Sequence, residues 1–261
     1  MPADLANFPV YPDLAGKVAV VTGGTKGIGA ATCRLLAKQG ASVAVNGRDQ
    51  AAIDRLVDEI NGDGGKAIGA PADCLDFAAI ERIRQRTEQE LGPADVLIAF
   101  AGGFSAYRPT EEITEEEWRA VMDANATTTF LAVKSFLPGM IERRRGSIVT
   151  MASNAARFLD ILTTAPYAAS KAAIMVFTRH VAKEVGKHGV RANCVAPATV
   201  LSDRIRRLMP ESRLAEVAAL SPLGWMGEPY DVALAAIFLA SESSRWLTGV
   251  TLDVAGGRIM L

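Results

Sequence analysis

Short apolar runs rich in β-forming residues alternate along the chain with longer segments whose apolar residues recur every three to four positions. The runs at 17–22, 42–45, 66–70, 96–100, 147–151, 191–196 and 251–254 are read as strands. Several are continuously apolar rather than alternating, as expected for strands covered on both faces. Segments 30–38, 50–60, 77–91, 115–140, 168–187 and 231–240 carry the helical pattern. Gly40, Gly92 and Gly189 stand where helix C-caps belong. This alternation implies right-handed crossovers and a doubly wound, mostly parallel, seven-stranded α/β sheet flanked by helices. There is no internal repeat, linker or compositional break. One domain is expected over 14–261, after an N-terminal extension at 1–13. Two irregular insertions fall at about 157–166 and 200–225, the second expected to act as a substrate lid.

Composition narrows the class. With 261 residues, 49% apolar and 22% charged, the chain has the makeup of a soluble enzyme. A net charge of −1 gives no electrostatic case for nucleic-acid or membrane partners. No stretch approaches the roughly 18–20 apolar residues of a membrane span. The first residues lack the basic-then-apolar pattern of a secretory signal. Cys33, Cys74 and Cys194 are scattered without C-x-x-C spacing, and there are two histidines. No metal site or disulfide framework is therefore expected, and a cytoplasmic location is.

Two motifs carry chemistry. The first strand runs into Thr22-Gly23-Gly24-Thr25-Lys26-Gly27-Ile28-Gly29 and directly on into a helix. Glycines let the backbone turn tightly and approach a pyrophosphate, whose charge a helix N-terminus favours. Farther on, Tyr167-Ala168-Ala169-Ser170-Lys171 sets a phenol and an amine one helical turn apart on one face. Free tyrosine titrates at about 10, too high for efficient proton exchange at neutral pH. An ammonium ~4 Å away would attract the phenolate by about 4 kcal/mol at an effective dielectric of ~20. Lys171 is therefore expected to acidify Tyr167.

T-G-x-x-x-G-x-G followed by Y-x-x-x-K resembles the short-chain dehydrogenase/reductase family, and most of all its 3-oxoacyl-acyl-carrier-protein reductases. The resemblance runs from about Leu14 to Gly257. It implies a single-domain Rossmann fold that interconverts a ketone and a secondary alcohol by hydride transfer. In that pattern Tyr167 delivers the proton, and Lys171 also holds the nicotinamide ribose. Ser153 bonds the substrate oxygen, and Asn125 holds a relay water. The dinucleotide contacts would come from Gly23, Thr25, Lys26, Gly27, Ile28 and Gly29, from Asn46, Arg48 and Asp73, and from Ala101 and Gly102. Pro197, Val200 and Ser202 would embrace the nicotinamide.

The end of the second strand, Val45-Asn46-Gly47-Arg48, lacks the carboxylate that an NAD site usually presents to the ribose. Asp49 reads as the N-cap of the next helix. Arg48 and Lys26 stand where family members that prefer NADP(H) supply cations, and at about 1.5–3 kcal/mol per charge-assisted bond they would select NADP(H). Asp73 is read either as an adenine contact or as a helix cap.

The pattern is broken in places. Ala99-Phe100-Ala101-Gly102 replaces N-N-A-G, Pro197-Ala198 replaces P-G, and Ala255-Gly256-Gly257 replaces D-G-G. Ser153 lies fourteen residues before Tyr167, one more than is common, so Asn154 is the alternative carbonyl donor. The missing asparagines put local rigidity in question. A catalytically silent NADP-binding sensor or scaffold subunit, and dehydration or epimerisation on the same scaffold, are rival readings.

Apolar residues at 157–162, with Leu208, Met209, Leu220 and Trp225, suit an acyl or ring-bearing small-molecule carbonyl substrate or, alternatively, packing. Arg143-Arg144-Arg145 could meet an acidic acyl carrier protein or could instead complement a helix dipole. The resemblance also implies a homotetramer.

Overall fold

The computed structural model describes residues 8–103, 107–158 and 163–260. Its core is one seven-stranded, all-parallel sheet in the order β3-β2-β1-β4-β5-β6-β7. The strands are β1 (Val18–Thr22), β2 (Ser42–Gly47), β3 (Lys66–Pro71), β4 (Val96–Ala99), β5 (Gly146–Met151), β6 (Val190–Pro197) and β7 (Thr251–Val254). Each of the seven expected runs is a strand, with ends displaced by no more than two residues.

Apolar residues on both strand faces explain the layering. Ala19, Val21, Val43, Val45, Val96, Ile98, Val149 and Val195 point to one core. There they meet α1 (Gly27–Lys38), α2 (Gln50–Gly62) and α9 (Pro229–Ala240). Val20, Ala44, Leu97, Ile148 and Ala192 point to the other. That core is completed by α3 (Phe77–Glu90), α5 (Thr128–Glu142) and α6 (Ala165–Val185). The period-two alternation within each apolar run thus feeds two cores, which is why the runs read as uniformly apolar. Gly40, Gly92 and Gly189 all have positive φ just beyond helix ends, as their C-cap positions require.

Two sequence expectations need correction. The segment 115–140 is not one regular helix: α4 (Glu115–Met122) passes through a π-helical turn at Asp123–Thr127 into α5. The segment 200–225 is not irregular, since it contains α7 (Asp203–Leu208) and α8 (Glu211–Ala219). Both are short and weakly buried, so a core-facing apolar stripe was not there to be read.

The amino edge of the sheet is locked by charge. Asp95 accepts the Val18 amide through Oδ2 at 3.1 Å and pairs with Arg145 at 2.8 Å. Arg143 donates to the Ala94 carbonyl at 2.7 Å and Arg144 to that of Lys187 at 3.0 Å. All three arginines are therefore engaged at the edge opposite the glycine loop, where Arg144 and Arg145 border an open cleft of about 550 Å³. Arg191 closes α9 by donating to the carbonyls of Leu239, Ala240, Ser241 and Leu247 and to Ser244 Oγ. Arg191→Met would strand these acceptors and is expected to cost about 2–3 kcal/mol in urea unfolding, with nucleotide affinity unchanged.

Candidate active site

The carboxyl ends of β1, β4, β5 and β6 converge on one crevice. Strand order reverses between β1 and β4, and ligands of open parallel sheets bind at such a point. The glycine loop shapes its floor. Gly23 has φ +64, and a Cβ there would lie 2.8 Å from the Phe100 carbonyl oxygen. A Cβ on Gly29 would sit 2.1 Å from the Gly23 carbonyl oxygen, so only glycine fits where α1 folds against the loop. Asp49, Asp76 and Thr114 cap α2, α3 and α4 with their side chains, whereas α1 has no side-chain cap. Its first amides and dipole are the elements that bind an anion. The residues thus fit a dinucleotide pyrophosphate.

At the end of β2, Asn46 turns inward. Its amide donates to the carbonyls of Ala70 (2.9 Å) and Ala72 (3.2 Å), and its Oδ1 accepts from the buried Cys74 thiol. Its side chain braces β2 against β3 instead of facing a dinucleotide, a correction to the expected contact. Arg48 is exposed at the rim, and Lys26 stands 4.0 Å from Asp49. Asp49 caps α2, as its position suggested. Asp73 is exposed and accepts from the Leu75 amide at 3.0 Å, while the cap of α3 is Asp76, so the capping alternative for Asp73 is set aside.

The missing asparagines are replaced by other donors and acceptors. Thr22 Oγ1 accepts the amides of Phe100 (3.0 Å) and Ala101 (3.1 Å). Asn125, wholly buried in the π-helical turn, accepts the Gly103 amide at 3.2 Å and donates to the Gly103 and Val121 carbonyls at 2.9 Å each. Its side chain is therefore committed to the loop after β4. A Cβ on Gly102 would come within 2.6 Å of Asn125 Oδ1, so that glycine is required. Ala198 and Ala255 do not have positive φ, so alanine is tolerated where the family pattern has other residues.

Tyr167 lies in the first turn of α6, where the helix dipole favours an anion, and Lys171 one turn later is 3% exposed. The Lys171 Nζ donates to the Met151 carbonyl at 3.0 Å and lies 5.6 Å from the Tyr167 ring centroid. Ser153, two residues beyond β5, is within hydrogen-bonding reach of the Tyr167 phenol, and its hydroxyl also donates to Asn154 Oδ1 at 3.2 Å. The Ser153 Oγ also accepts the Ala155 amide at 3.2 Å. Electrostatics here differ from the sequence expectation. Desolvation pushes the Tyr167 phenol above its ordinary value, opposed by the Ser153 hydrogen bond and by the positive charge of Arg204 on α7. Burial also pulls the neighbouring Lys171 amine down to about 8. Arg204 lies on the short helix α7, which carries no motif that marks it.

The nicotinamide-side residues are mixed. Pro197 ends β6 with Val200 just beyond, while Ser202 caps α7 by accepting the Ile205 amide at 3.4 Å. Leu208, Leu220 and Trp225 are exposed. Trp225 borders a cavity of about 670 Å³ with Phe8, Leu201, Leu214 and Tyr230. Phe158 is half-exposed, and Leu159, Asp160, Ile161 and Leu162, expected to line the substrate site, lie outside the described residues.

A parallel sheet that brings an uncapped glycine-rich helix start and a Tyr–Ser–Lys cluster to one edge defines a nucleotide-dependent oxidoreductase. The chain belongs to the short chain dehydrogenase family, whose model matches residues 17–212. Members act on alcohols or ketones with a nicotinamide cofactor. The chain is 36% identical over 255 residues to 2,3-dihydro-2,3-dihydroxybenzoate dehydrogenase of Bacillus subtilis, covering 94% of this chain and 96% of that one. It is 36% identical over 249 residues to a 3-oxoacyl-[acyl-carrier-protein] reductase of Vibrio cholerae, covering 95% and 100%. A solved 3-oxoacyl-[acyl-carrier protein] reductase of Brucella melitensis with bound NAD superposes with a TM-score of 0.88 at 30% identity, covering 100% and 97%. No helix among the described residues is long and apolar enough to cross a membrane.

The buried amine has a consequence for stability. Below pH 8 Lys171 is charged in both folded and unfolded chains, and the fold bears the cost of burying it. Above pH 8 the folded chain releases that proton first, so the unfolded state binds more protons and this cost fades as pH approaches the ordinary lysine value of 10.5. Lys171→Met is expected to stabilise the fold by about 2 kcal/mol at neutral pH, after losing the bond to Met151. Paired urea titrations should show that advantage shrinking between pH 8 and 10.5.

Proposed function

We propose that this protein is an NADP(H)-dependent ketone reductase or secondary-alcohol dehydrogenase, with Tyr167 as its proton donor. The observation that carries this reading is the hydrogen-bonded Ser153–Tyr167 pair beside buried Lys171, at the same sheet edge as the uncapped start of α1. The glycine loop would hold the pyrophosphate, Lys26 and Arg48 a 2′-phosphate, and the segment from Pro197 to Ser202 the nicotinamide. Bound there, the cofactor supplies or accepts a hydride at the substrate carbon.

The chain's own residues manage the proton. Ser153 Oγ hydrogen-bonds the carbonyl oxygen and holds it against the Tyr167 hydroxyl. Tyr167 transfers its phenolic proton to that oxygen, and the Ser153 hydrogen bond, Arg204 and the start of α6 all favour the phenolate left behind. Lys171, anchored on the Met151 carbonyl, is placed to hold the nicotinamide ribose and to stabilise the phenolate once it forms. Asn125 keeps the loop after β4 rigid, and its fully engaged side chain leaves no group for the relay water that the resemblance implied. Relatives named for a cyclic dihydrodiol and for acyl thioesters support a small carbonyl substrate, ring-bearing or a 3-oxoacyl thioester. An acyl carrier protein would have to approach a surface other than Arg143–Arg145. The family pattern supports a homotetramer.

NADPH oxidation should be followed with a panel of 3-oxoacyl thioesters, cyclic ketones and quinones. Turnover with at least one ketone, lowered about a thousandfold or more by Tyr167→Phe, is the expected result. Tight NADPH binding without turnover across the panel would instead mark a silent nucleotide-binding subunit. Arg48→Ala is expected to weaken NADPH binding about tenfold or more while leaving NADH binding little changed. Fluorescence titration with the two nucleotides measures both.

A further inference from the structure

Ser153 sits in a buried turn that packs against α6, and just before it the Ala152 amide donates to the Val195 carbonyl of β6 at 2.9 Å. From Ser153 the backbone turns through Asn154–Ala156, closed by the Ala156 amide on the Ser153 carbonyl (3.0 Å) and by the Arg157 and Phe158 amides on that of Asn154 (2.9 and 2.8 Å). These bonds shape the turn, and its packing against α6 seats it beside the helix that carries Tyr167. Ala156 adds one small contact with the cluster of Ala152, Ile174, Met175, Cys194 and Ala196. Beyond Phe158 the chain enters the segment expected to line the substrate site.

Arg157 ties the far end of this turn to the sheet. Its guanidinium forms a hydrogen-bonded ion pair with Asp253 of β7. Asp253 is in register with Ala196, the residue before Pro197, so the pair reaches from the end of β5 past β6 to β7. Both side chains are about one-fifth exposed, at 22% and 19%, so water screens the pair much less than a surface one. Asp253 Oδ1 is buried without a hydrogen-bond partner among the described residues, which leaves Arg157 as the group that compensates this carboxylate. Removing Arg157 would leave a buried, uncompensated charge, and the turn would lose its tie to β7.

We propose that Arg157 and Asp253 are positioning residues for the Tyr167 reaction: their ion pair clamps the turn after Ser153 to β7 and so fixes the Ser153 hydroxyl against the Tyr167 phenol. This rests on the carbonyl-reduction reading of the site. Neither residue need touch substrate; both act through Ser153.

The test is a double-mutant cycle with Ser153, read in kinetics and in the titration of Tyr167. Arg157→Ala is expected to lower kcat about tenfold or more, as misplacement by a fraction of an ångström does, with NADPH affinity unchanged. In a Ser153→Ala background the same change should cost almost nothing further, since the hydroxyl it positions is gone. The exchanged pair Arg157→Asp with Asp253→Arg should recover most of the loss. Multiplying losses in the cycle, or unchanged kcat with only a lowered Tm, would overturn the proposal. NMR titration of ring-labelled tyrosine, assigned with Tyr167→Phe, needs no substrate. Arg157→Ala should raise the phenol's titration point by weakening the Ser153 hydrogen bond, and an unmoved titration would reject the clamp. If wild type turns over no ketone, the carbonyl-reduction reading fails, while the titration still decides whether the pair positions Ser153.

Discussion

Parallel strand alignment is the constraint on which the rest depends. Because every strand of the sheet points the same way, all strand ends that lead into helices emerge on one edge. The reversal of order at β1 and β4 opens a crevice there, and α1 starts from its floor. The glycine loop, the Thr22 hydroxyl, the turn after Ser153 and the segment after Pro197 therefore lie at one edge without any long loop to carry them. The opposite edge does different work. There Asp95 and Arg145 tie strand starts together, and Arg191 satisfies the end of α9. A cleft at that edge is basic but remote from the chemistry, which separates structural arginines from those near the site, Arg48, Arg157 and Arg204.

Burial of a titratable cluster is the main energetic concession. Lys171 has little access to water, and its amine is pulled down to about 8 by desolvation alone, against the field of Cys194. The phenol is raised by the same loss of solvent. Simple attraction between ammonium and phenolate across one helical turn is therefore an incomplete account of the pair. In the structure the phenol is moderated by Ser153, by Arg204 and by its place in the first turn of α6, while the lysine is anchored on a strand carbonyl. Such sites trade stability for function because groups that reactivity needs are held where water cannot solvate them.

Much of this was legible in the sequence, and the misses share a cause. Strands such as 96–100 were readable because burial on both faces demands unbroken apolar runs. Tyr167, Lys171 and the glycine loop were readable because their spacing is local. The π-helical turn at Asp123–Thr127 leaves no signature in a helical period, and α7 and α8 bury too little to show a stripe. Asn46 looked like a rim residue, but its inward turn depends on carbonyls more than twenty positions away. The Arg157–Asp253 pair spans 96 residues, and nothing in either local sequence announces the other.

The departures from the family pattern at 99–102 test how much a fold needs particular side chains. The sequence suggested that losing two asparagines would loosen the loop after β4. The structure shows the loop held through its backbone instead. Thr22 takes two successive amides, and Asn125 takes the amide and carbonyl of Gly103 from the other side. Buried amides need partners, but they do not specify which side chain provides them. A hydroxyl on β1 and a carboxamide in the π-helical turn satisfy this stretch, so Phe100 is free to pack into the core formed with α1 and α9. The substitutions thus change what fills the sheet edge without removing the bonds that keep the crevice open. The divergence here gives no structural reason to expect an inert site.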